Sequence, residues 1–291
     1  MIFLETTKSC RKDKRHKANS AMYKQKFIKI LRDTRTLKTG ERIILLYNIL
    51  RNLSSNKNFR RENPCFALPA YDLMQDAYGS VDYKGYYSSG MRAAKEIYKI
   101  LLSCLPCLST SLRILEWGCG PARIIRHLRH IDDSRQLELY GTDYNGKAIR
   151  WCQQKIENVL FRFNSLAPPL PFEDNFFDIL YSISVYTHLS EKMHYPWLKE
   201  NLRVVKPGGI IMMTLHGDNF ADKLLEEEKI LYNSKKIVVR GKVKEGSRLY
   251  VAFHSPLFVK QHFFRGHKIV YHNPNPDPSI SGGQDIWVIS K

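Results

Sequence analysis

The chain lacks most of what marks a secreted or membrane-spanning protein. Met1-Ile-Phe-Leu is too short to be the apolar core of a signal peptide, and its basic residues follow it instead of preceding it. No apolar run is long enough to cross a bilayer; Ile100–Leu108 is short and contains proline. Cysteine is sparse, with six in 291 residues. Only Cys104-Leu-Pro-Cys107 has metal or redox spacing, and no second pair or nearby histidine cluster completes a ligand set, so no metal site is expected. A protein of a reducing cytoplasm is expected, with contact at a membrane surface left open.

Acidic residues are also scarce. Lys and Arg number 46 against 28 Asp and Glu, a net charge of +18. The imbalance is local. Residues 1–62 hold 17 basic residues and 5 acidic ones, whereas the rest of the chain holds 29 and 23. A basic arm over about residues 8–61 suits RNA or an anionic membrane surface, or is a solvated face without a partner. Residues 1–20 read as a basic, disordered tail and 21–108 as a helical extension or cap. Tyr78, Tyr83, Tyr86 and Tyr87 stand before a helix expected from about Met91, where they would roof a site or fill the cap core.

Beyond residue 109 strands and helices alternate, which predicts a doubly wound, mostly parallel α/β sheet. Its first strand, Leu112–Trp117, breaks into Gly118-Cys-Gly120 and leads into Arg123. Glycines there let main chain approach a ligand. Asp143 ends the second strand, where a carboxylate can accept from two ribose hydroxyls, or cap the Asn145-Gly146 turn. Tyr144 follows it, suited to packing on a base.

Two further runs complete the pattern, Pro169-Leu-Pro-Phe…Phe-Phe-Asp178 and Leu202-Arg-Val-Val-Lys-Pro-Gly-Gly209. With the glycine turn and Asp143, residues 109–291 resemble the class I S-adenosylmethionine-dependent methyltransferases. The resemblance implies a seven-stranded Rossmann-like sheet whose last strand runs antiparallel. It implies S-adenosylmethionine as cofactor, held by Glu116, Gly118, Gly120, Asp143, Tyr144, Asn164, Ser165 and Ile183. The family often has a third glycine where this chain has Ala122.

An alcohol acceptor calls for a general base, and histidine suits neutral pH. His216 and His188 follow strand ends and are the first and second candidates; His254 is a third. A looser resemblance, carried by Thr214-Leu-His-Gly217 and Gly282-Gly-Gln-Asp285, is to stand-alone bacterial enzymes of surface-glycan or secondary pathways. It implies O-methylation of a small molecule or glycan precursor. RNA methylation through the basic arm and a non-catalytic cofactor-binding module remain alternatives. The Asn-Pro-Pro-Tyr run of many amino-methylating nucleic-acid enzymes is absent; Ser182-Ile-Ser-Val185 stands in its place.

Overall fold

The computed structural model describes residues 37–106 and 109–291. The expected basic tail at 1–20, residues 21–36 of the expected helical extension and basic arm, and Cys107 lie outside the described residues.

Seven strands form one sheet: β1 (Ser111–Trp117), β2 (Gln136–Asp143), β3 (Leu160–Phe163), β4 (Phe177–Ser182), β5 (Val205–Leu215), β8 (Lys268–Asn273) and β9 (Asp285–Ser290). Their order is β3-β2-β1-β4-β5-β9-β8. The first five are parallel, and β9 pairs antiparallel with β5, as the resemblance implied. β8 is antiparallel to β9 and closes that edge. Strands β6 (Val238–Arg240) and β7 (Val251–Phe253) pair as a separate antiparallel hairpin.

Side chains alternate across each strand, and both faces are covered, so the strands read as nearly unbroken apolar runs. Ile114, Ile210, Met212, Ile286 and Val288 point to one core. Leu115, Trp117, Ile211, Met213, Trp287 and Ile289 point to the other. Burying each such side chain contributes about 1.5–3 kcal/mol before entropy is counted.

The N-terminal region is helical: α1 (Leu37–Glu62), α2 (Tyr71–Tyr78) and α3 (Tyr83–Cys104). α1 runs straight through Gly40. α3 begins eight residues earlier than expected, because Asp82 accepts from the Lys84 amide and caps it there, ahead of Ser88 and Ser89. Phe59, Met74, Val81, Tyr83 and Tyr86 form the cap's own core. Tyr86 ties the cap to the sheet by donating to the Pro121 carbonyl at 2.9 Å. After the glycine turn the chain forms a 3-10 helix (Ile125–His130). Further helices are α4 (Gly146–Lys155), α5 (Glu191–Val204) and α6 (Glu226–Asn233). Among the described residues no helix is long and apolar enough to cross a membrane.

Candidate cofactor and acceptor site

A cavity of about 800 Å³ opens above the C-terminal ends of β1, β2 and β4. This is where an open parallel sheet leaves a crevice, at the reversal of strand order. Glu116, Gly118, Gly120, Asp143, Tyr144, Asn164, Ser165, Ile183 and His188 all line it.

The floor is the turn after β1. Gly118 has φ +77° and Gly120 has φ +50°. A Cβ on Gly118 would run into Val185 Cγ2, so both conformation and space require glycine there. The amides of Gly118 and Cys119 donate to the Thr142 carbonyl at 2.8 and 2.9 Å. Ala122 also adopts a left-handed φ, +55°, which explains why a glycine suits this position.

Asp143 joins the two turns. Its Oδ2 accepts from the Gly120 amide at 2.8 Å and its Oδ1 from the Asn145 amide at 2.7 Å. It is thus a turn cap, and it also lines the cavity. Each carboxylate oxygen retains acceptor capacity for a ligand hydroxyl. Burial pushes its carboxyl upward.

Glu116 is buried. Its Oε2 accepts from Tyr181 Oη and from the Ile125 amide, both at 3.0 Å. Burial raises its pKa to about 8. Tyr144 donates to the Gly246 carbonyl at 2.8 Å, which places its ring along the cavity wall. Asn164 donates to the Ser165 carbonyl at 2.7 Å, and its Oδ1 is buried without a hydrogen-bond partner among the described residues. A buried acceptor left open on a cavity wall fits a ligand N–H.

The histidines separate. His188 lies in the 3-10 turn Tyr186–His188 and lines the cavity. Its Nδ1 sits 2.6 Å from the Tyr250 carbonyl. A carbonyl only accepts, so Nδ1 carries the proton and Nε2 keeps its lone pair. Burial lowers its pKa. His216 lies behind the wall and does not line the cavity. Its ring stacks on Phe220 at 4.3 Å. Its Nδ1 donates to the Ala252 carbonyl at 3.0 Å, and its Nε2 accepts from Gln284 Nε2 at 3.2 Å. Burial drops its pKa to about 3. Both nitrogens are committed, so His216 supports the wall. His254 is buried against His194, with their Nε2 atoms 2.7 Å apart.

Gln284 links the neighbouring groups. It donates to Ser184 Oγ at 2.8 Å and accepts from Thr214 Oγ1 at 2.7 Å, and Thr214 Oγ1 accepts from the Ser184 amide at 2.8 Å. This network holds the end of β4, where Ser184 has φ +62°.

Of the four tyrosines, Tyr78 lines the cavity, whereas Tyr83 and Tyr86 are buried in the cap core and Tyr87 packs against it. Sequence reasoning gave Arg123 no role; it lines the cavity, donates to Ser89 Oγ at 3.2 Å and lies over the Tyr78 ring. It also missed Phe220, Lys223 and Arg248, which reach the cavity only through the fold. Among the described residues no three His, Cys, Asp or Glu side chains are grouped to hold a metal ion.

Residues 115–213 match the methyltransferase domain family. A tRNA (carboxymethyluridine(34)-5-O)-methyltransferase of Arabidopsis thaliana is 31% identical over 112 residues, covering 38% of this chain and 26% of that protein. A tRNA N(3)-cytidine methyltransferase of Gallus gallus is 29% identical over 154 residues, covering 50% of this chain and 40% of that protein. The matches therefore span well under half the length of these relatives. Among solved structures, DesVI of Streptomyces venezuelae aligns with a TM-score of 0.51 at 13% identity, over 77% of this chain and 99% of that one, which shows a shared fold.

Proposed function

We propose that this chain, which belongs to the class I S-adenosylmethionine-dependent methyltransferase family, methylates a hydroxyl of a small molecule or glycan precursor. When bound, S-adenosylmethionine supplies an electrophilic methyl group on a sulfonium. The cavity residues suit it. Asp143 offers acceptors to ribose hydroxyls, and Asn164 Oδ1 offers one to an amino group of the base. Arg123 and Glu116, whose carboxyl an arriving ammonium would ionise, line the same wall and match the carboxylate and ammonium of an amino acid.

The observation that carries the hydroxyl reading is the His188 tautomer. A neutral imidazole with Nε2 free, on the cavity wall, can accept the proton of an attacking hydroxyl. That residue replaces His216 as first choice for the base.

The test is incubation with methyl-labelled S-adenosylmethionine and cell extract split into nucleic-acid, protein, lipid and glycan or small-molecule fractions. Label in the last fraction, lost in His188→Gln, supports this reading. Label confined to another fraction overturns the acceptor, and binding of S-adenosylhomocysteine without label anywhere favours a binding module.

One observation favours a second reading, in which RNA is the acceptor. The Arabidopsis and Gallus relatives are named as tRNA methyltransferases, and 17 of the first 62 residues are basic. On that reading tRNA affinity falls steeply with salt, as counterions are released from phosphates. Salt-independent or absent tRNA binding removes it.

A further inference from the structure

Lys223 closes the 3-10 helix Asp218–Lys223 that follows β5, and it lines the cavity. Its ammonium lies 3.9 Å from the centroid of the Phe220 ring. The Phe220 ring also stacks on His216, whose two nitrogens are held by Ala252 and Gln284. The group His216–Phe220–Lys223 therefore seats a cation on a braced aromatic ring in the cavity wall. A cation over an aromatic face is stabilised, but its hydrogen-bond donors stay free.

The other cations of this wall are engaged. Arg248 is paired with Glu41. Arg123 bonds Ser89 and covers Tyr78. Among the described residues Lys223 has no carboxylate partner. Asp218 accepts from Tyr232 Oη at 2.9 Å and Asp285 lies 3.4 Å from His272, and neither forms an ion pair with Lys223. The neutral residues Phe220, Ser279, Ser281 and Gln284 line the same cavity. Partial desolvation lowers the Lys223 pKa, a cost that an anion alongside would remove.

We infer that Lys223 is a specificity-determining residue for the acceptor, and that the acceptor carries an anionic group, a carboxylate or a phosphate, which this ammonium binds. The inference rests on the proposed methyl-transfer site, because Lys223 lines the same cavity as Asp143. It narrows the acceptor from hydroxyl compounds in general to acidic ones.

The test uses the full chain saturated with S-adenosylhomocysteine. Benzoate, phenyl phosphate and the uncharged isostere benzamide are titrated by ligand-observed NMR. Wild type, Lys223→Met and Lys223→Arg are compared. We expect one or both anions to bind wild type and Lys223→Arg, with affinity about tenfold weaker in Lys223→Met, the value of one charge-assisted hydrogen bond. A preference for benzoate marks a carboxylate acceptor, and one for phenyl phosphate a phosphorylated acceptor. Equal binding of benzamide, or anion binding unchanged in Lys223→Met, overturns the assignment. S-adenosylhomocysteine affinity, measured by calorimetry, should match across the three proteins. Its absence in wild type tells against the methyl-transfer reading itself, and the anion titrations are then read on the free protein.

Discussion

His188 donates its Nδ1 proton to the carbonyl of Tyr250, 62 residues away in sequence, across 2.6 Å. That bond orients one ring nitrogen toward the hairpin and leaves the other for the cavity. It makes the hairpin β6–β7 part of the proposed catalytic geometry, although the hairpin stands outside the main sheet.

His188→Gln should lower kcat by about 10²- to 10⁴-fold, the range for losing a general base. Binding of S-adenosylhomocysteine should persist. Because burial lowers the His188 pKa, wild-type activity should fall only below the ordinary histidine range, as the base protonates. A flat acid limb in wild type, or near-normal turnover in the variant once an acceptor is known, would end the assignment.

Gly118→Ala should destabilise the fold by about 2–4 kcal/mol. The strained left-handed φ contributes about 1–2 and the clash with Val185 a similar amount. Adding Val185→Ala should return the steric part and leave the conformational part. Urea unfolding of both variants measures this, and full additivity would show that Val185 is not the obstacle.

Glu116 is protonated below about pH 8 in the free cavity. An arriving ammonium favours the carboxylate, so ligand binding near neutral pH should release about one proton. Calorimetry of S-adenosylhomocysteine binding in buffers of different ionisation enthalpy reads that proton. The buffer dependence should vanish in Glu116→Gln; its persistence there would assign the proton elsewhere.

His194 and His216 are held neutral by burial, with pKa values near 4 and 3. The unfolded chain protonates them near 6.5. Between those values the unfolded state binds more protons, so stability is complete above pH 6.5 and declines on acidification toward 4. Each site should cost about 2 kcal/mol by pH 5. Urea midpoints at pH 7.5 and 5.0 test this, and equal midpoints would refute it.

Much of the sheet could be read before the structure. Strands β1 to β5 show period-2 or continuous apolar runs, and glycine and proline mark their ends. Gly118, Gly120 and Asp143 lie within 26 residues and are joined by adjacent parallel strands, so local pattern was enough to bring them together. The start of α3 was missed because Asp82 and two serines compete as caps, and only packing of Tyr83 and Tyr86 in the cap core favours the earlier one.

The acceptor end was much less legible. His188 and His216 both follow strand ends and look alike in sequence. What separates them is the hairpin and Gln284, which engage both nitrogens of His216 but only one of His188. Those partners come from 36, 62 and 68 residues away. Sequence alone therefore determined the fold class and the cavity floor, because both depend on short-range periodicity and on backbone conformations open to few residue types. Tertiary structure decided which histidine faces the cavity and which cation stands without a partner there. Those depend on side chains meeting across long loops, where no local preference sets the outcome.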